Sequence, residues 1–259
     1  MNRIYFFTGT GNSLHIAEEI GNALSDCEIV AIQKDTCTDI PTGYERIGFV
    51  FPTYGWGLPN MVSDFIKKAK LSNQGDTYLF AVATCFGLAG NSIPQANTLL
   101  KEKRCHLNYG TKIKMFGNSV TNYNMSQKVD EITKKSDIRA ESIIQDIVNK
   151  EERRIPPINK LLYRGYLKFI SDVHTIDKKY YVNDNCISCG ICKSVCPAKN
   201  ITLVDGKPIF HHQCERCLAC IQHCPKHALN YENKTQSRRR YTHPQVGSKK
   251  IIKYYSKDN

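Results

Sequence analysis

Eight of the chain's twelve cysteines fall between Cys186 and Cys224, and their spacing repeats. Cys186-x2-Cys189-x2-Cys192-x3-Cys196-Pro197 returns as Cys214-x2-Cys217-x2-Cys220-x3-Cys224-Pro225, every cysteine displaced by 28 residues. Three thiolates at this spacing can wrap one cubane iron–sulfur cluster, and the proline turns the chain so that the fourth points away from its own run. Gly190, beside the first run, lets backbone N–H groups approach the sulfides. Two structural zinc sites are the alternative, but those present separated Cys-x2-Cys pairs rather than a triple run closed by Cys-Pro. With eight cysteines in place, His211, His212, His223 and His227 read as surface histidines. The scattered Cys27, Cys37, Cys85 and Cys105 read as small apolar residues.

A second set of residues could hold an anion. Directly after the first apolar run comes Thr8-Gly9-Thr10-Gly11-Asn12-Ser13, then a helical pattern. Its glycines permit tight curvature, and successive N–H groups with the Thr8, Thr10 and Ser13 hydroxyls can cradle a phosphate at a helix N-terminus. The loop lacks the Gly-Lys-Ser/Thr of a P-loop, and Leu14 stands where a dinucleotide fingerprint has its third glycine. A hydroxyl-rich, lysine-free loop suits a monophosphate. Two further loops carry Pro52-Thr53-Tyr54-Gly55-Trp56-Gly57 and Thr84-Cys85-Phe86-Gly87. The only tryptophan, between two glycines, is placed to stack on a ligand ring or to cap the sheet.

These loops need a frame. Apolar runs at 4–7, 28–32, 47–51, 78–83 and 113–120 predict five strands, and helical patterns at about 14–24, 60–70 and 90–103 alternate with them. A helix over about 127–154 closes the unit before Pro156 and Pro157. The expected fold is α/β, a parallel sheet covered on both faces, with ligands at the strand C-termini. Residues 158–173 show another amphipathic pattern, read as packing against a neighbouring domain rather than a membrane.

The segment from about 180 to 231 resembles the two-cluster bacterial ferredoxins, a small α+β domain. That resemblance assigns Cys186, Cys189, Cys192 and Cys224 to one 4Fe-4S cluster and Cys214, Cys217, Cys220 and Cys196 to the other. The first 150 or so residues resemble the flavodoxin family: 8–13 look like its FMN phosphate loop, and the loops bearing Tyr54/Trp56 and Phe86/Gly87 look like its isoalloxazine-flanking loops. The resemblance implies a flavodoxin-like five-stranded sheet in the order 2-1-3-4-5 and bound FMN; Tyr123 is a further ring candidate. The whole chain resembles the flavodoxin/ferredoxin fusion proteins of anaerobes, organised as 1–154 FMN domain, 155–179 helical linker, 180–232 two-cluster domain and 233–259 basic tail.

The formal charge of +12 is concentrated in that tail, where eight Lys/Arg face one acidic residue from 233 onward, giving +7. Two oxidised clusters would each add roughly −2. The tail is read as a solvated terminus or as a docking site for an acidic redox protein, a ferredoxin or flavoprotein. No stacking platform or groove-reading motif accompanies the charge, so nucleic acid is not an expected partner. No apolar stretch approaches the roughly 18 residues of a membrane span, and no export signal is evident, so a cytoplasmic location is expected. The expected function is electron transport between FMN and two 4Fe-4S clusters. An FMN-dependent reductase of a quinone, nitro compound or flavin is the alternative, and a redox-sensing or assembly module is the rival of another class. No catalytic acid–base pair can be named.

Overall fold

A computed structural model describes residues 1–71 and 75–256. Five parallel strands, β1 (Asn2–Phe6), β2 (Cys27–Ala31), β3 (Arg46–Pro52), β4 (Tyr78–Cys85) and β5 (Tyr109–Lys114), form one sheet in the order β2-β1-β3-β4-β5. The interior strands β3 and β4 are nearly continuous apolar runs because both their faces are covered. One face packs on α2 (Asn60–Lys68) and α3 (Ser92–Glu102) through Phe49, Phe51, Val62 and Ile66. The other packs on α1 (Asn12–Ala23) and α4 (Val129–Val148) through Ile4, Phe6, Ile16 and Ile143.

The fifth strand lies earlier than its apolar run suggested. In β5 only Tyr109, Thr111 and Ile113 are buried, while Lys112 and Lys114 are exposed, the alternation of an edge strand. Met115, Phe116 and Val120 are apolar because the loop beyond the strand turns inward.

The linker helix α5 (Lys160–Ile170) buries Tyr166, whose hydroxyl donates to the Leu58 carbonyl at 2.8 Å. Leu161, an apolar residue of the amphipathic pattern over 158–173, is 78% exposed rather than packed. Next come a 3-10 segment (Val173–Lys179) and two antiparallel strand pairs, β6 (Tyr180–Val182) with β9 (Leu229–Tyr231) and β7 (Ile201–Val204) with β8 (Lys207–Phe210). Short helices α6 (Ile191–Ser194) and α7 (Ala219–Gln222) each carry the third cysteine of a run, Cys192 and Cys220. The duplication extends to the backbone: left-handed Ser188, Gly190 and Lys199 recur 28 residues later as Arg216, Leu218 and His227. The two halves share a core in which Phe116, Val120 and Met125 meet Ile176, Leu218 and Ile221.

The basic tail is built into the fold. Tyr241 stacks on Phe116, with centroids 4.4 Å apart, and donates to Asn12 Oδ1 at 2.7 Å. Val246 is fully buried under Gly11, and the last helix, α8 (Ser248–Tyr255), seats Ile251 against the first half. Lys250 pairs with Glu18 at 3.0 Å. His243 donates its backbone N–H to Thr10 and stacks on His15 at 4.2 Å. Burial first, then the neighbouring His15, push the His243 imidazole down to about 4, with Lys250 adding to this and Asp137 opposing it. The unfolded chain therefore takes up this proton first as pH falls from about 6.5 toward 4, so the contribution is complete above about pH 6.5 and is lost below it. The expected outcome is that His243→Gln flattens the thermal midpoint's dependence on pH between about pH 6.5 and 5.

Candidate functional site

The strand C-termini of the sheet open onto a cavity of about 420 Å³, within the range of small-molecule sites. The loop joining β1 to α1 forms its floor, with Thr8, Gly9, Thr10, Asn12 and Ser13 in the lining and all of 8–13 buried. Gly11 adopts φ +100°, and its N–H donates to Thr8 Oγ1 at 3.0 Å, which curls the loop. No side chain caps α1. Its first-turn N–H groups thus face the cavity end without a side-chain acceptor, an arrangement that fits a phosphate. Ser13 Oγ lies 2.9 Å from Thr84 Oγ1, tying the floor to β4. Asn12, expected as a ligand, is held by the protein as well: its Nδ2 donates to the Phe116 carbonyl at 3.1 Å.

The wall residues come from three loops. Tyr54 and Gly57 exchange backbone hydrogen bonds of 3.0 and 2.9 Å around left-handed Gly55 and Trp56, the pattern of a type I′ turn. A tryptophan with φ +65° is costly, by roughly 1–2 kcal/mol, and the turn holds it 48% exposed at the cavity, against Gly90 and Gly165. Phe86, 64% exposed, stacks on Tyr123 at 5.7 Å. Pro52, Thr53, Cys85 and Gly87 also line the cavity, Cys85 as a buried thiol at the strand end. Gly57 lies behind it, against Tyr166.

Two further segments that carry no local signal of a ligand site line the cavity. Asn118, Ser119 and Asn122 line it from the loop after β5, where the sequence shows an apolar run through to Val120; the Asn118-Ser119 pair inside it is a turn signal. Phe169, Arg216, Cys217 and Leu218 come from the linker and the cysteine-rich half. Arg216 stacks its guanidinium on Phe169 at 4.6 Å.

The two halves touch backbone to backbone. A Cβ on Gly9 would stand 2.1 Å from the Cys217 carbonyl oxygen, so only glycine admits this approach. His223, read as a surface residue, is buried there, its Nε2 3.2 Å from the Gly9 carbonyl; burial pushes its imidazole down to about 4. Gln222 donates to the Asn118 carbonyl at 2.6 Å, and Glu215 accepts from the Met61 N–H at 3.1 Å. Tyr255 Oη donates to the Thr8 carbonyl at 3.0 Å, its hydroxyl enclosed between the anion loop and Cys217.

The eight repeat cysteines form two groups. Cys186, Cys189, Cys192 and Cys224 line one cavity, with Cys189 exposed. Cys214 and Cys220 are buried. Burial pushes Cys192 up to about 11, with Cys224, Cys189 and Cys186 as its charged neighbours. Burial holds Cys217 well above the thiol range, with Cys196 and Cys214 beside it. Buried thiols cannot ionise together without positive charge, which iron supplies. Among the described residues no three His, Cys, Asp or Glu converge on a single-ion position; a cubane is held by sulfurs at separate corners. Cys37, by contrast with its apolar reading, is exposed.

Arg240 gives an independent sign of the clusters' charge. Its Nη2 donates to Asn230 Oδ1 at 2.8 Å, while Nε and Nη1 are buried with no partner among the described residues. The guanidinium lies within electrostatic reach of Cys224 and Cys220, one cysteine from each group. A half-buried guanidinium whose Nε and Nη1 have no partner among the described residues fits two anionic clusters there. Arg240→Gln is accordingly expected to lower the midpoint potentials of both clusters, measured by redox titration followed by electron paramagnetic resonance; unchanged potentials would separate Arg240 from them.

A family model described as a flavodoxin domain matches residues 3–135. One described as a 4Fe-4S dicluster domain matches residues 185–229. Among solved structures, the chain is similar to a flavodoxin of Streptococcus pneumonia TIGR4, at 15% identity over 57% of this chain and 98% of that one, with a TM-score of 0.39. It is similar to a Fusobacterium nucleatum flavodoxin bound to flavin mononucleotide, at 13% identity over 58% and 98%, TM-score 0.38. Rubredoxin oxygen:oxidoreductase from Desulfovibrio gigas is 13% identical over 57% of this chain and 36% of that one, TM-score 0.37. No curated protein matches.

Proposed function

This chain belongs to the flavodoxin-domain family and carries a 4Fe-4S dicluster domain, whose cofactors are FMN and iron–sulfur clusters, and from that premise we propose an intramolecular electron relay between the flavin and two clusters. When bound, FMN exchanges one or two electrons and each cluster exchanges one. The anion loop 8–13 binds the FMN phosphate, Trp56, Phe86 and Tyr123 border the ring, and the eight cysteines hold the clusters in crossed sets. The contact of Gly9 with Cys217 carries this reading, because it puts Cys217, one of the inner group Cys196, Cys214, Cys217 and Cys220, on the wall of the flavin cavity, with Cys186, Cys189, Cys192 and Cys224 as the outer group. Gly9 and Tyr255 keep the two halves in register, and Leu218 excludes water from the path.

Anaerobic purification with iron, acid-labile sulfide and flavin quantified per chain is expected to give about eight, eight and one. Four iron or fewer after careful handling would remove the two-cluster premise. Lipid contact is not required by this reading: among the described residues no helix is long and apolar enough to cross a membrane.

An acidic redox protein docks at the outer cysteine group in this scheme. Ile187, Val204 and Ile209 are exposed there, and Lys193, Lys207 and Lys226 stand exposed nearby. The tail's cations favour an internal brace over a docking face: Arg238 donates to the Val120 carbonyl and Arg239 to Gln127 Oε1. Changing Lys193, Lys207 and Lys226 together to Gln is expected to slow electron delivery from an acidic ferredoxin about tenfold at low salt and little at high salt. An equal rate at low salt would move the docking face elsewhere.

A further inference from the structure

A second cavity, of about 840 Å³, opens on the free edge of β5. It exists because the sheet ends there. Ile93 and Ile155 cover the strand beside Gly110, while Lys112 and Lys114 point out uncovered. The cavity has an apolar floor that includes Ile93 and Met115, and no carboxylate occurs among its lining residues. Lysine and arginine supply its charge: Lys112 and Lys114 from β5, Lys135 and Arg139 from α4, and Arg153 after it. Lys135 is paired with Glu131, and Arg153 with Asp146 at 3.6 Å. Lys112 and Lys114 make no ion pair among the described residues. Phe86 lines both this cavity and the one described above, so the two adjoin through one ring.

We propose that this cavity binds an anionic aromatic molecule, its ring against Phe86 and Ile93 and its carboxylate, sulfonate or phosphate on Lys112 and Lys114. The concavity and volume are those of a small-ligand site, which falls at about 300–1,000 Å³, rather than of a flat protein-docking face. The apolar floor selects a hydrophobic body, and Lys112 and Lys114, which make no ion pair among the described residues, select the anion. Such a ligand would lie on the wall of the flavin cavity. The binding itself requires no electron, so its test is separate from that of the relay.

The test is a fluorescence titration of the full, cofactor-loaded chain with anilinonaphthalene sulfonate, against its uncharged counterpart phenylnaphthylamine. The expected result is one saturable site for the sulfonate, weakened about tenfold by Lys112→Gln with Lys114→Gln and by raised salt, with the uncharged probe bound at least as weakly as by that variant. Both lysines are exposed, so unchanged circular dichroism and thermal midpoint are expected for the variant. Binding that ignores the double substitution, equal binding of the two probes, or no saturable binding would each overturn the proposal. So would displacement of nothing by the sulfonate while an acidic protein protects Lys112 and Lys114 from amine modification, which would make the face a protein-docking surface.

Discussion

Replacing Cys196 with serine is expected to destroy the inner cluster, held by Cys214, Cys217 and Cys220, and to spare the outer one, although Cys196 belongs in sequence to the outer run. Iron should fall from about eight to about four per chain. Cys196 is an electrostatic neighbour of both Cys214 and Cys217, whereas Cys192 has Cys224, Cys189 and Cys186 around it. Proline after each fourth cysteine makes the exchange possible by turning the chain away from its own run. Since the inner group is the one on the wall of the flavin cavity, flavin reduction through the clusters should stop in the variant, while direct reduction by a small-molecule reductant should persist. Electron paramagnetic resonance of the surviving cluster checks the assignment. Loss of the cluster bound by Cys186, Cys189 and Cys192 would overturn the crossed ligation.

Gly9→Ala should have the next largest effect, for a reason of space alone. Gly9 lies outside the left-handed region, so alanine meets no backbone penalty, but its methyl would enter the Cys217 carbonyl at 2.1 Å. Neither atom is at the end of a flexible side chain, so the two backbones must part by roughly 1 Å to reach an ordinary contact. The expected cost is about 1–3 kcal/mol or more, seen as a lower thermal midpoint, together with weaker FMN retention and slower cluster-to-flavin transfer. Gly87→Ala is the matching control: it lies in the same cavity, with nothing within 4 Å of an added Cβ, and should leave the midpoint unchanged. A Gly9→Ala protein as stable and as fast as the parent would show that the close approach of Gly9 to Cys217 has no part in the path.

The features legible in the sequence are those written locally. The loop Thr8–Ser13 announces itself by glycine and hydroxyl residues between a strand and a helix, and the cysteine repeat by spacing, so both could be placed without a partner in view. The five-strand order followed from the resemblance and is the order observed. What escaped depends on distant pairing. Nothing near His223 in the chain marks it as buried, because its partner is the Gly9 carbonyl, more than 200 residues away. Arg240 looks like part of a solvated basic run until Cys220 and Cys224 come within its field. Tyr241 and Tyr255 lie within the basic tail, yet one braces Asn12 and the other Thr8. Residues 113–120 misled through the same effect, since Phe116 and Val120 serve the core between the halves rather than the sheet.

The relay is tested most directly by loading the protein fully, reducing the clusters with a limiting amount of a one-electron donor in an anaerobic rapid-mixing experiment, and following the flavin's visible band at several protein concentrations. The expected result is bleaching of the flavin at a first-order rate independent of protein concentration, because Cys217 of the inner group lines the flavin cavity within one chain. A rate proportional to protein concentration, or a flavin that stays oxidised beside reduced clusters, would contradict it.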